Sequence, residues 1–146
     1  MASLLERLAA VLADVVSVDE EADDALTVRH DGTFASLRVV NIVEGLDVVA
    51  LTQMLAWDLP LTKKVRELVA GQAQDLNFGS VMLQEQPAYA VGHGDTAGGR
   101  AKATRKTADV MLRYNFPGSG LTDDALRTLI LLVLDSGARV RRELTA

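Results

Sequence analysis

The chain has 146 residues, of which 49% are hydrophobic and 24% are charged; its formal net charge is −5 and it contains no cysteine. This length and balance predict a single folded domain over residues 1–146 and exclude a disordered chain. Without cysteine, disulfides, thiol catalysis and sulfur-ligated metal sites are excluded.

The amino-terminal segment predicts a helix over about 4–16. Ser3 and Glu6 form a capping-box pattern, and leucine and valine then recur at helical spacing. The segment lacks the basic start and cleavage signal of a secretory peptide, and no uncharged apolar run approaches the roughly 20 residues needed to span a bilayer. We therefore expect a cytoplasmic protein. The acidic segment 17–25 has neither period nor bulk and predicts a solvated connection.

Three strands are predicted next. Asp31-Gly32 lies between two strand-like runs and suits a type I′ turn, so the first two strands should pair antiparallel. The segment 46–57 is rich in β-branched and large apolar residues and predicts the third strand, although its length also admits a helix.

A second helix is predicted over about 62–75, with Thr62 as its N-cap. Gly71 lowers the helical propensity of this segment and suggests a close packing contact. The segments 77–85 and 108–116 read as the fourth and fifth strands.

The last helix is predicted to begin after Thr122 and to run to about 143. Its middle is apolar around the whole circumference, and such a helix must be covered on more than one side. We expect a homodimer in which Leu131 and Leu134 contribute to the interface; the alternative is a helix sandwiched within one chain.

The order of these elements, α-β-β-β-α-β-β-α, predicts an α+β fold with a single antiparallel sheet of about five strands and three helices. The segments that carry a family resemblance are "LTKKVRELVAGQAQDLNFGSVML" and "ADVMLRYNFPGSGLTDDALRTLILLVLDSGARVRREL". They resemble the YbjN-like proteins and the small type III secretion chaperones. This resemblance implies a noncatalytic, chaperone-like or regulatory module, commonly dimeric, that binds a polypeptide client.

The surface that would contact a client can be suggested from period-two alternation. If one face of the sheet is open, alternate residues such as Phe34, Ser36 and Arg38 should lie on it. The aromatic residues are few and dispersed, and each is expected to pack in the core or a hairpin: Phe34, Trp57, Phe78, Tyr89, Tyr114 and Phe116.

The glycine-rich segment over about 92–107 predicts a flexible basic loop. Its glycine spacing fails the phosphate-loop pattern, and a strand follows it where a phosphate-binding turn needs a helix. Its cations could contact an acidic protein segment or, as an alternative function, a nucleic acid or nucleotide. These cations are Arg100, Lys102, Arg105 and Lys106.

Catalytic chemistry has little support in the sequence. His30 and His93 are the two histidines, and neither has a further histidine or carboxylate at metal-ligand spacing. No serine lies in a strand-turn-helix elbow, and no Ser/His/Asp set can be nominated. We therefore expect neither an enzyme nor a cofactor.

Overall fold

A computed structural model describes residues 3–86 and 106–146 and shows an α+β fold with one antiparallel sheet. The helices are α1 (Leu4–Ala13), α2 (Lys63–Gln74) and α3 (Asp123–Leu144). The strands are β1 (Ser17–Glu20), β2 (Ala25–His30), β3 (Thr33–Val43), β4 (Leu46–Pro60), β5 (Ser80–Gln86) and β6 (Thr107–Pro117). These six strands of the described residues lie in the order β1-β2-β3-β4-β6-β5.

The sixth strand, β1, corrects the sequence-based expectation. The segment 17–25 was expected to be a solvated connection, but its first four residues pair antiparallel with β2. Val18 packs against the core, and Asp24 adopts a positive φ of 60° in the turn that returns the chain. A short edge strand needs few apolar side chains because backbone pairing forms it, and its acids discourage association along that edge.

The predicted hairpin turn and the predicted helix N-caps are confirmed. Asp31 and Gly32 have φ values of 52° and 84°, as a type I′ turn requires. The hydroxyls of Ser3, Thr62 and Thr122 each accept an N-cap hydrogen bond of 3.1 Å. The third predicted strand is a strand, β4, whereas α1 ends at Ala13, three residues earlier than expected.

The helices cover one face of the sheet. Strand residues that point to this face, such as Leu37, Leu51 and Leu112, join α1, α2 and α3 in one hydrophobic cluster and are completely buried. Alternation along the strands therefore sends every second side chain into the core.

Helix α3 is covered within one chain by the sheet, α1 and α2. Leu134 is completely buried in this arrangement, which contradicts its predicted place in a dimer interface. Leu131 is half-buried, while Leu132 is 48% exposed. Internal packing therefore accounts for most of the apolar circumference. None of the helices within 3–86 and 106–146 combines the length and apolar character needed to cross a bilayer.

Gly71 on α2 and Gly137 on α3 occupy different environments. Gly137 lies against Gln53 of β4, which is buried and whose amide donates to the Thr33 hydroxyl (2.8 Å) and the Leu134 carbonyl (3.1 Å). A Cβ on Gly137 would overlap this Gln53 amide. Around Gly71 no described atom lies within 4 Å of an added Cβ, so the predicted close contact there is wrong.

The aromatic residues divide between the core and the surface. Phe78, Tyr114 and Phe116 pack in series, with centroid separations of 6.0 Å and 5.4 Å, as expected. Phe34 and Trp57 instead are 48% and 58% exposed, so neither packs in the core, and Phe34 lies in the β2–β3 hairpin opposite Arg29. Tyr89 lies outside the described residues.

Candidate functional site

The second face of the sheet has no helix of the described residues packed against it, and we call it the open face. Phe34, Ser36 and Arg38 all lie on it, alternating with the buried Ala35 and Leu37. Phe34 and Arg38 are exposed, and Ser36 is half-buried. The period-two pattern therefore identified three residues that share one accessible surface.

A continuous apolar row crosses four strands of the open face. Phe34 on β3 is opposite Met54 on β4, Met54 is opposite Met111 on β6, and Met111 is opposite Met82 on β5. We call these four residues the methionine row. With adjacent strands about 4.8 Å apart, the row extends about 14 Å across the sheet.

The methionine row is accessible and adaptable. Phe34 is 48% exposed at one end and Met82 is 41% exposed at the other, with the two central methionines half-buried. Unbranched thioether side chains adjust their shape easily and recur at surfaces that bind varied apolar partners. The Arg29 guanidinium lies 6.0 Å from the centre of the Phe34 ring and restrains that end of the row.

A polar row lies beside the methionine row, two residues further along each strand. Its members are small hydroxyl residues and one arginine, which pair across the strands in the order Thr27, Ser36, Thr52, Arg113 and Ser80. Arg113 is exposed and forms no ion pair with any described residue. The open face therefore presents an apolar strip bordered by hydrogen-bonding groups and a positive charge.

Arg38 lies on the next row and forms an ion pair with Asp23 at 2.7 Å. The hydrogen bond from Arg38, with a backbone hydrogen bond and the guanidinium charge, holds the pKa of Asp23 below its ordinary value of 3.8. Both side chains are more than half exposed, so this pair contributes little to folding stability. The Arg38 guanidinium remains accessible on the open face.

The three row methionines were missed by the sequence analysis because they come from three separate strands. Met54, Met82 and Met111 are up to 57 residues apart and share no local motif. The Asp31-Gly32 turn alone would have placed Arg29 opposite Phe34. Extending the row further required the pairing of β4, β6 and β5.

The predicted site residues of the basic loop were Arg100, Lys102, Arg105 and Lys106. Arg100, Lys102 and Arg105 lie outside the described residues. Lys106 is exposed, and its carbonyl accepts a hydrogen bond of 3.0 Å from the backbone amide of Leu61, just before β6 begins. Residues 92–105 of the predicted basic loop lie outside the described residues.

One histidine–carboxylate pair occurs at the other side of the sheet. His30 Nε2 lies 2.7 Å from Asp135 Oδ1 and connects the β2–β3 turn to α3. Asp31 and Arg142 form a second link at 2.8 Å. Within residues 3–86 and 106–146, no three potential ligands cluster to hold a metal ion. We interpret these two pairs as structural contacts that hold α3 against the β2–β3 hairpin.

Comparison with known proteins identifies no relative: no family model matches the chain, and neither a curated protein nor a solved structure is significantly similar to it. The resemblance to YbjN-like proteins and type III secretion chaperones therefore stays a prediction from the sequence. The functional assignment depends on the geometry of the open face.

Proposed function

We propose that this chain is a noncatalytic protein-binding module, chaperone-like or regulatory, whose open face binds an apolar segment of a polypeptide partner. The observation that carries the proposal is the methionine row, in which Phe34, Met54, Met111 and Met82 form one accessible strip. The side chains of this strip lie outside the core beneath the helices, and a bound partner would remove their exposed apolar surface from water.

The dimensions favour a short segment of the partner. A strip of about 14 Å matches roughly nine residues of a helix or four of an extended strand. The adjacent Ser36, Thr52 and Arg113 would border the segment with hydroxyl groups and a positive charge. An amphipathic helix with an acidic flank satisfies both rows, since its apolar side fits the strip and its carboxylates reach Arg113.

The methionines supply a direct readout of binding. The chain has four methionines, and three of them belong to the row. We would label their methyl groups with ¹³C and titrate the protein with a permanently unfolded polypeptide, reduced and carboxymethylated lactalbumin. The methyl signals of Met54, Met82 and Met111 should shift together, while that of Met1 stays unchanged.

The decisive variant is Phe34→Asp, which places a charge at the exposed end of the row. We expect binding to weaken about 30-fold, because an interface anchor is replaced by a group that resists burial. Val15→Asp is the matched control, since Val15 is 46% exposed but follows α1 away from the row. Equal loss of binding in both variants, or shifts confined to Met1, would contradict the proposal.

A further inference from the structure

A second apolar surface lies at the end of the β3–β4 hairpin, in residues 39–47, which we call the hairpin arm. The pairing of β2 with β3 ends where Ala25 faces Arg38, and the pairing of β6 with β4 ends where Pro117 faces Val48. The arm therefore extends beyond the strands on both sides of the hairpin.

The arm concentrates exposed hydrophobic side chains. Of the nine large hydrophobic residues exposed among the described residues, four lie in these nine positions, which argues against chance scatter. They are Val40 (44%), Ile42 (55%), Val43 (58%) and Leu46 (38%). No described residue from elsewhere in the chain covers them.

The arm has a defined conformation before any partner binds. The Asn41 side-chain amide donates to the Val43 carbonyl at 3.0 Å and to an Asp47 carboxylate oxygen at 2.9 Å. Gly45 has a φ of 85°, which suits the turn at the tip. A preorganised hairpin loses little conformational entropy when it associates. More of the free energy from burying its exposed surface therefore contributes to affinity.

The outer edge of β3 in the arm lacks the charges found at the other strand edges, although its pairing with β4 shifts register between Asn41 and Val43. Residues 39–43 read VVNIV, with no charge and no proline, and pair with no described strand on the β2 side. By contrast, β1 is short and carries Asp19 and Glu20, and β5 carries Glu85. Charged and short edges resist pairing with another chain, and an uncharged β-branched edge favours it.

We propose that two copies of this chain associate through residues 39–43, which pair antiparallel across a two-fold axis near Asn41. Such an interface uses the same segment from both copies. Val39 then faces Val43 of the second copy, and β-branched residues meet along the pairing. Each uncharged edge finds an equally uncharged partner, although the whole chain carries a net charge of −5.

The charges that flank the segment support a second copy as the occupant. Antiparallel pairing about Asn41 brings Glu44 of each copy to the end of the pairing, beside Arg38 of the other. Arg38 already binds Asp23 at 2.7 Å, but a guanidinium has five N–H donors and accommodates a second carboxylate. The sequence RVVNIVE is therefore complementary to its own reverse in both apolar character and charge.

The first test measures mass by light scattering over a concentration series. The wild type should approach twice 15.7 kDa, and Ile42→Asp should weaken association about 100-fold, because pairing would bury the new charge. Leu132→Asp is the control, as Leu132 is 48% exposed on α3. A monomeric wild type, or a dimer that survives Ile42→Asp, would overturn the proposal, as would a folded Leu132→Asp monomer.

The second test addresses the register. Arg38→Glu and Glu44→Arg should each weaken the dimer about 10-fold by opposing like charges, and the double variant should restore it. Far-UV circular dichroism of each variant reports folding separately. Weakening in both single variants without restoration would refute the register. Phe34→Asp should leave the mass unchanged, so the dimer and the client-binding proposal can fail independently.

Discussion

The two faces of the sheet are built from alternate residues of the same strands but have different physical roles. On the covered face, Leu37 and Leu51 are completely buried beneath the helices. On the open face, Phe34 is 48% exposed and Met82 is 41% exposed. Apolar side chains on the covered face stabilise the fold, whereas those on the open face remain available for a partner. A single strand can therefore serve stability and binding by its two-residue period.

The largest expected effect on folding stability comes from a comparison of two β3 residues that lie on opposite faces of the sheet. Leu37→Ala should lower the free energy of unfolding by about 2–5 kcal/mol, because it leaves a cavity in the core. Phe34→Ala should change it by no more than about 0.5–1 kcal/mol, since that ring is half exposed. Urea unfolding measures both. Comparable destabilisation by the two substitutions would show that the open face belongs to the core.

The next effect compares two helical glycines. Gly137→Ala should destabilise the protein by about 1–3 kcal/mol, because the new methyl group overlaps Gln53 and outweighs the gain in helix propensity. Gly71→Ala, in open space, should stabilise it by about 0.5–1 kcal/mol. Thermal and urea unfolding should both show that the two substitutions change stability in opposite directions.

Coupling between the two side chains provides the control for the Gly137 prediction. In a Gln53→Ala background, the cost of Gly137→Ala should largely disappear, because the overlapping amide is absent. A full cost in that background would mean that the backbone of α3, and not Gln53, requires glycine.

A third comparison concerns neighbouring arginines that hold α3 to the sheet. Arg141 donates a hydrogen bond of 2.7 Å to the Leu55 carbonyl, which lies at a register shift of β4. Arg141→Met should cost about 1.5–3 kcal/mol, because a charged donor is lost from a partly buried carbonyl. Arg142→Met breaks an exposed pair with Asp31 and should cost less than about 1 kcal/mol. Denaturant unfolding that ranks Arg142 above Arg141 would contradict this assignment.

The sequence was informative wherever a few neighbouring residues determine the backbone. The capping residues Ser3, Thr62 and Thr122 and the turn at Asp31-Gly32 were all identified correctly, because the interactions that specify them span three or four positions. Strand β1 was missed since it is formed mainly by backbone pairing with β2, which leaves little trace in side-chain pattern.

The sequence by itself determined the α+β class, the helices and the alternation that places Phe34 and Leu37 on opposite faces. Only the tertiary structure decided which residues extend the row from Phe34 across β4, β6 and β5. The two-residue Glu44-Gly45 turn between β3 and β4 would by itself place Phe34 opposite Leu55. The irregularity at Ile42 shifts the register by one residue, so Phe34 lies opposite Met54 instead. The insertion of β6 between β4 and β5 then completes the methionine row, because pairing between distant strands depends on contacts that no local pattern encodes.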